Sequence, residues 1–202
     1  SMRVLETLKK ARMRIEELEK HLYEPIAIIG MGCRFPGGAN TPSQFWQNLR
    51  DRQDAITAVP EERWMINNER SLAEQKPQWG GFLEKIDHFD ADFFNISQQE
   101  ATQMDPQQRL LLMVVWEAFE HAGVNPQLLS GSQTGVFVGI SNNDYARLQS
   151  AEMSPFAGTG NAFSIAANRI SYLLNLQGPS LALDTACSSS LVAVHQACHS
   201  LR

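Results

Sequence analysis

A cysteine follows a short apolar run and precedes an apolar pattern with helical spacing. Ser180 to Leu183 form the run, and residues 184–191 read Asp-Thr-Ala-Cys-Ser-Ser-Ser-Leu. This pattern predicts that Cys187 lies at a turn where a strand leads into a helix, whose N-terminal N–H groups and dipole favour a thiolate. The same N–H groups, including that of Cys187, can stabilise the oxyanion of an attacked thioester. The pattern indicates a nucleophile for acyl transfer, with a small buried hydrophobic residue as the alternative.

Five ordered segments resemble the ketosynthase (β-ketoacyl synthase) domains of modular type I polyketide synthases. Residues 184–190 are similar to the active-site signature of these domains. The other matching segments are 24–38 (EPIAIIGMGCRFPGG), 104–112 (MDPQQRLLL), 135–140 (GVFVGI) and 168–172 (NRISY). Together they span nearly the whole chain after Tyr23, and five motifs of this length in the right order make the resemblance specific.

The resemblance implies decarboxylative Claisen condensation. An acyl group passes from the phosphopantetheine arm of an acyl carrier protein to Sγ of Cys187. A malonyl-type extender on a second carrier protein then loses carbon dioxide, and its enolate attacks that thioester. Cys187 is the predicted catalytic residue; no residue is predicted to bind a cofactor or a metal, because the substrates arrive on the carrier arm. In the family two histidines hold the enolate oxygen, and they lie beyond Arg202.

The histidines of this chain do not suit that second role. His195 and His199 follow Cys187 on the same predicted helix, which places them about 12 and 18 Å along its axis from the sulfur. The reach of a hydrogen bond is about 3 Å. The others are expected to be solvated or packed side chains: His21, His88 and His121.

The composition is that of a cytoplasmic globular protein. The chain has 202 residues, of which 43% are hydrophobic, and a net charge of −5. It has no basic cluster that would bind nucleic acid and no apolar run long enough to cross a membrane. Cys33, Cys187 and Cys198 are odd in number and not spaced as metal ligands. We therefore expect free thiols, without a disulfide framework or a zinc site.

Residues 1–23 form a separate amphipathic segment. Its apolar residues alternate at spacings of four and three, as in the seam of a coiled coil: Val4, Leu8, Ala11, Ile15, Leu18 and Leu22. Because so short a helix is marginal alone, the seam needs a partner. The pattern favours a two-stranded coil in a homodimer, and the alternative is a helix folded back on its own domain. The resemblance implies that this helix docks the chain onto the C-terminal end of the upstream synthase polypeptide.

Residues 24–202 alternate apolar runs with helical patterns, which predicts an α/β domain. Strands are expected at 26–29, 135–140 and 180–183, and residues 53–81 are expected to be irregular surface structure. Helices are expected from Pro42, over 106–122 as an almost wholly apolar and therefore buried helix, and over 164–176. The resemblance implies the N-terminal half of a thiolase-like αβαβα layered fold, so that 24–202 is the N-terminal portion of a ketosynthase domain.

Several other motifs are weaker candidates. Gly30-Met31-Gly32 follows an apolar run as a dinucleotide-binding loop would, but the third glycine position holds Phe35 and a helix cannot start there. Cys33 in that loop is expected to be a packed thiol, and Asp105 a helix N-cap. Residues 142–145 (Asn-Asn-Asp-Tyr) follow a predicted strand and could line the entrance of a substrate site.

Two alternatives to a condensing enzyme stay open. The chain could be a docking and interaction fragment without turnover, or a ketosynthase-like domain that transfers acyl groups without condensing them. The predicted helix after Ser188 reaches Arg202 without a C-terminal cap. We therefore expect the natural polypeptide to continue past Arg202, and residues 1–202 alone to be inactive.

Overall fold

Eight α-helices and four short strands follow one another in the part of the chain that the computed structural model describes, residues 2–64, 79–149 and 155–202. This part also has two 3-10 helices, Pro126–Leu129 and Tyr145–Arg147. The α-helices are α1 (Met2–Tyr23), α2 (Pro42–Arg50), α3 (Glu61–Trp64), α4 (Gln98–Gln103), α5 (Pro106–Ala122), α6 (Ala157–Asn161), α7 (Phe163–Leu173) and α8 (Ser189–Ser200). The strands are β1 (Ile56–Ala58), β2 (Trp79–Gly81), β3 (Val136–Gly139) and β4 (Ser180–Leu183).

The strands β3 and β4 form a parallel pair that carries the site. Their register pairs Val136 with Ser180 and Gly139 with Leu183. Because parallel strands end at the same edge of a sheet, the loops that follow β3 and β4 meet there. Helices α7 and α8 both pack against this pair. The predicted strands at 135–140 and 180–183 are confirmed, and the described part of the chain is α/β as expected.

Local capping signals set where the helices begin and end. The Thr41 side chain accepts a hydrogen bond from the Gln44 N–H, and the Asp105 side chain accepts one from the Gln107 N–H at 2.8 Å. Gly123 ends α5 with a φ of 64°, a left-handed conformation that glycine adopts at little cost. The predicted start of α2 and the predicted limits of α5 are therefore confirmed.

The core lies where α4, α5 and α7 meet β3. Met104 and Ala167 are completely buried, with exposures of 0%. Around them lie the other members of one apolar cluster: Ile96, Ala101, Leu112, Val138, Ile140, Ala166 and Ile170. Of the α5 residues only Gln108 and Leu112 are fully buried, so the expectation of a wholly buried helix was too strong. The aromatic rings of Phe93 and Phe94 contact Trp116 and cover only part of its surface.

Two further sequence expectations were wrong. Residues 26–29 are not a strand, and Ile28 and Ile29 are 83% and 70% exposed. A strand requires a hydrogen-bonded neighbour, and no segment among the described residues pairs with this run. The region 53–81 is not wholly irregular either, since β1 and β2 form an antiparallel pair in which Ile56 lies opposite Gly81. Residues 65–78 of that region lie outside the described residues.

A polar network connects four of the helices. Arg169 of α7 donates to Glu100 Oε1 of α4 at 2.5 Å and to Gln108 Oε1 of α5 at 3.0 Å. Gln108 Nε2 in turn donates to the Thr159 carbonyl of α6 at 3.2 Å. The side chains of Arg169 and Glu100 are 10% and 23% exposed. Since a buried charge is costly without its partner, this network fixes how the helices around the core are arranged.

We predict that Arg169→Ala destabilises the protein by about 3 kcal/mol, because Glu100 and Gln108 would lose their partner in a mostly buried position. The matched control is Arg147→Ala. Arg147 pairs with Asp144 at 3.6 Å, but both side chains are largely exposed, so that change should cost less than about 1 kcal/mol. Urea unfolding measures both, and equal losses for the two variants would contradict the structural role of Arg169.

Candidate active site

Cys187 lies in the short turn between β4 and α8. β4 ends at Leu183, Ser188 is the N-cap position of α8, and the Cys187 side chain is exposed. The predicted strand, turn and helix are therefore present in the predicted order. Because Cys187 is exposed, the alternative of a small buried hydrophobic residue does not fit the structure.

Hydrogen bonds within the turn fix its backbone. The Ala186 N–H donates to Asp184 Oδ1 at 3.0 Å, and the Ser188 hydroxyl donates to the Thr185 carbonyl at 2.8 Å. Ala186 has a φ of 54°, which is a left-handed conformation that is rare for a residue with a Cβ. The turn is therefore held in a conformation that it would not adopt by preference.

Ser189, the first residue of α8, also holds the turn. Its side chain accepts a hydrogen bond from the Thr185 N–H at 2.9 Å and donates one to the Ala186 carbonyl at 2.7 Å. The Cys187 N–H makes no hydrogen bond to any described residue. A thioester oxygen next to the Cys187 sulfur could therefore accept from this N–H.

Gly139, at the end of β3, lies against the backbone of the first turn of α8. A Cβ at this position would lie 2.7 Å from the Ser190 nitrogen and 2.8 Å from the Ser189 carbonyl carbon. Both atoms belong to the backbone, which cannot move aside as a flexible side chain can. The absence of a side chain at Gly139 therefore sets how closely α8 approaches the sheet. Local sequence patterns do not identify Ser189 or Gly139, because both act through contacts that such patterns do not reveal.

The loop after β3 is hydrogen-bonded to the start of α5 and to the end of α4. Gln107 Nε2 donates to the Asn142 carbonyl at 2.8 Å, and the Tyr145 hydroxyl donates to the Thr102 carbonyl at 2.8 Å. The loop leaves the same edge of the sheet as the Cys187 turn, since β3 and β4 are parallel. A role of residues 142–145 at the substrate entrance is consistent with this position and stays a prediction.

The other two cysteines have different surroundings. Cys33 is half-buried, and its thiol donates a weak hydrogen bond to the Ala39 carbonyl at 3.7 Å. Burial raises the pKa of the Cys33 thiol; the nearby Arg34 charge lowers it and the Glu117 charge raises it by smaller amounts. Cys33 is therefore a protonated thiol at neutral pH. Cys198 is half-buried on α8.

The glycines of the loop that resembles a dinucleotide-binding motif have a packing role. A Cβ at Gly30 would lie 2.4 Å from the Ala118 carbonyl oxygen of α5, and one at Gly32 would lie 2.5 Å from the Val114 carbonyl oxygen. The loop therefore lies directly on the backbone of α5. This contact explains why both positions are glycine, and no bound nucleotide is needed to account for them.

The histidines do not come together at the Cys187 turn. His195 and His199 are exposed on α8, downstream of the turn. His121 Nδ1 accepts a hydrogen bond from the Met31 N–H at 3.3 Å, far along the chain from Cys187. Residues 2–64, 79–149 and 155–202 include no group of three or more His, Cys, Asp or Glu placed to hold a metal ion. None of the helices in these ranges is long and apolar enough to span a membrane.

Known proteins share the fold of this chain and a large part of its sequence. A ketosynthase from module 6 of the bacillaene synthase of Bacillus subtilis 168 has 42% identity and a TM-score of 0.74, over 87% of this chain and 29% of that one. The oxazolomycin ketosynthase domain of Streptomyces albus JA3453 has 40% identity and a TM-score of 0.74, over 87% of this chain and 31% of that one. The fold is therefore the N-terminal half of the thiolase-like ketosynthase fold.

Sequence comparison shows to which protein family the chain belongs. The family described as "Beta-ketoacyl synthase, N-terminal domain" matches residues 23–202. One polypeptide of the Mycobacterium tuberculosis phenolphthiocerol/phthiocerol polyketide synthase is 52% identical over 189 residues, which are 90% of this chain and 10% of that protein. Another polypeptide of the same synthase is 49% identical over 187 residues, 89% of this chain and 10% of that protein. The chain belongs to the β-ketoacyl synthase family, and it spans about a tenth of the length of these curated relatives.

Alkylation should distinguish the thiols by their surroundings. We predict that limiting iodoacetamide at pH 7 labels Cys187 before Cys33, because Cys187 is exposed whereas burial keeps Cys33 protonated. A raised pKa means less thiolate at a given pH, so labelling of Cys33 should increase as the pH is raised. Peptide mapping after labelling at several pH values measures this, and faster labelling of Cys33 at pH 7 would contradict it.

Proposed function

We propose that Cys187 is the acyl-accepting nucleophile of a polyketide synthase ketosynthase. The observation that carries this proposal is the exposed thiol in the turn between β4 and α8, next to a backbone N–H without an acceptor among the described residues. The similarity to ketosynthase domains and polyketide synthase polypeptides supports it. In this proposal the substrates arrive as thioesters on the phosphopantetheine arms of acyl carrier proteins.

The first half-reaction is a transfer between two sulfur atoms. The Cys187 thiol loses its proton, and Sγ attacks the carbonyl carbon of the incoming thioester. The carbonyl oxygen becomes an oxyanion, which the Cys187 N–H stabilises as one of its donors. The oxyanion then collapses, the carbon–sulfur bond to the carrier arm breaks, and the leaving thiolate takes up a proton. The product is an acyl thioester on Cys187.

The second half-reaction is the condensation. A malonyl-type extender on a second carrier protein loses carbon dioxide, and the carbon of the resulting enolate attacks the Cys187 thioester. The new carbon–carbon bond forms as the bond to Sγ breaks, which gives a β-ketoacyl carrier protein and free Cys187. The enolate oxygen needs neutral donors, which the family resemblance assigns to two histidines downstream of this chain. Condensation is therefore proposed for a polypeptide that includes them.

Loading with a labelled acyl thioester tests the first half-reaction. We predict that Cys187→Ala abolishes covalent acyl loading from acyl carrier protein, because no other exposed thiol lies at this turn. The variant should keep its thermal stability, since an exposed side chain contributes little packing. Cys198→Ala, a change on α8, the helix that follows the turn, should keep loading. Intact-mass measurement gives the result, and loading that survives in Cys187→Ala would contradict the proposal.

The two alternatives make different predictions in the same assay with the full natural polypeptide. A condensing enzyme releases carbon dioxide from malonyl carrier protein after loading. A ketosynthase-like domain that only transfers acyl groups loads Cys187 without releasing carbon dioxide. A docking fragment without turnover does neither.

We also propose that α1 pairs with a second copy and docks onto an upstream synthase polypeptide. Val4, Leu8 and Ile15 of the predicted seam are 62%, 62% and 54% exposed, so these side chains are not covered by the described part of the chain. This exposure favours an external partner over a helix folded back on its own domain. The side chains of Leu18 and Leu22 lie outside the described residues. The family match begins at residue 23, which supports a boundary between the helix and the ketosynthase portion.

Charges placed in the seam test this second proposal. We predict that Leu8→Glu with Ile15→Glu weakens N-terminal association at least tenfold, because both side chains would lie at the apolar positions of the coil. Met13→Glu is the control, since Met13 is 70% exposed but lies on the opposite side of the helix from the seam. Analytical ultracentrifugation of the natural polypeptide and of its complex with the upstream partner measures the change. Equal effects of the control and the double change would contradict the seam.

A further inference from the structure

Ser189 is a buried polar residue, 6% exposed. Its hydroxyl accepts one hydrogen bond and donates another. The Thr185 N–H lies 2.9 Å from Ser189 Oγ and can only donate. The hydroxyl hydrogen is therefore free to be donated to the Ala186 carbonyl, which lies at 2.7 Å. Ser189 thus connects two backbone groups of the turn that carries Cys187.

The Ala186 carbonyl accepts hydrogen bonds from two donors of Ser189, the first residue of α8. Besides the Ser189 hydroxyl, it accepts a hydrogen bond from the Ser189 N–H at 3.1 Å. A peptide unit is planar and trans, so its C=O and its N–H point in opposite directions. The Cys187 N–H belongs to the same peptide unit as the Ala186 carbonyl. It must therefore point away from Ser189 and the first turn of α8.

This orientation is not the one that the local backbone would prefer. Ala186 has a φ of 54°, where its Cβ crowds the following carbonyl oxygen. Without the hydroxyl of Ser189, one of the two bonds to the Ala186 carbonyl and the bond to the Thr185 N–H are lost. The peptide unit can then rotate toward a relaxed conformation, which turns the Cys187 N–H away from its present direction.

We propose that Ser189 is a positioning residue that aims the Cys187 N–H at the oxyanion formed during acyl transfer. This inference rests on the proposed function of Cys187. Ser189 does not touch the substrate; it acts through the peptide unit that precedes the nucleophile. The oxyanion appears when Sγ attacks a carbonyl carbon, and it is absent when Sγ displaces iodide from iodoacetamide. The two reactions of one thiol therefore separate the orientation of the donor from the accessibility of the sulfur.

The test compares these two reactions in Ser189→Ala. Acylation by the acetyl thioester of N-acetylcysteamine, a short mimic of the carrier arm, should slow about tenfold to a hundredfold. Alkylation of Cys187 by iodoacetamide should change less than about threefold. Ser190→Ala is the matched control, because Ser190 is the next residue of α8 and is exposed; both of its rates should equal those of the unchanged protein. Rates are measured by intact mass, and circular dichroism verifies folding.

Each other outcome has a definite meaning. Equal slowing of acylation and alkylation, or loss of folding in Ser189→Ala, would show a structural role and overturn the proposal. So would an unchanged acylation rate. Ser189→Thr keeps the hydroxyl and should keep the acylation rate; a folded threonine variant with normal alkylation and slow acylation would also overturn it. If the unchanged protein is alkylated but never acylated at Cys187, the proposed function itself fails, which is a distinguishable result.

Discussion

The position of Cys187 depends on the close approach of α8 to the end of β3. A Cβ at Gly139 would lie 2.7 Å from the Ser190 nitrogen, closer than such atoms come in folded proteins. Gly139 also lies opposite Leu183, the last residue of β4, in the parallel register. The turn that carries Cys187 is therefore anchored at both ends by the same sheet. The end of β4 fixes where the turn begins. Gly139 of β3, which has no side chain, fixes where α8 begins.

The features predicted correctly from the sequence are mostly those in which a residue contacts its near neighbours in the chain. Thr41 and Asp105 cap helices by accepting from N–H groups only two or three residues away. The run before Cys187 is bounded by a turn, and its extent as a strand matches the expected residues 180–183. The caps need no distant partner and could therefore be predicted from the sequence alone. The prediction of β4 was also correct, because β3 supplies the neighbouring strand that residues 26–29 lack among the described residues.

Most of the features that could not be predicted from the sequence depend on distant residues, and Ser189, whose partners are Thr185 and Ala186, is the exception. Arg169 of α7 forms an ion pair with Glu100 of α4, and no residue pattern near either position in the sequence indicates that pairing. The run at 26–29 has the composition of a buried strand, yet composition alone does not supply the neighbouring strand that a ladder needs. Ser189 reads from the sequence as one of three successive serines. Only the hydrogen bonds to Thr185 and Ala186 distinguish it from the exposed Ser190.

The donor at the Cys187 turn is held by bonds that lie wholly within residues 184–189. Under the proposed function, these bonds set the geometry of attack on the thioester in the same way for every acyl chain that reaches the sulfur. The proposed function then assigns preference among acyl chains to surfaces outside the turn. The loop after β3 leaves the same edge of the sheet and is fixed to α5 by Gln107. We therefore expect changes in this loop to alter which acyl groups are accepted, and changes in the turn to alter the rate for all of them alike.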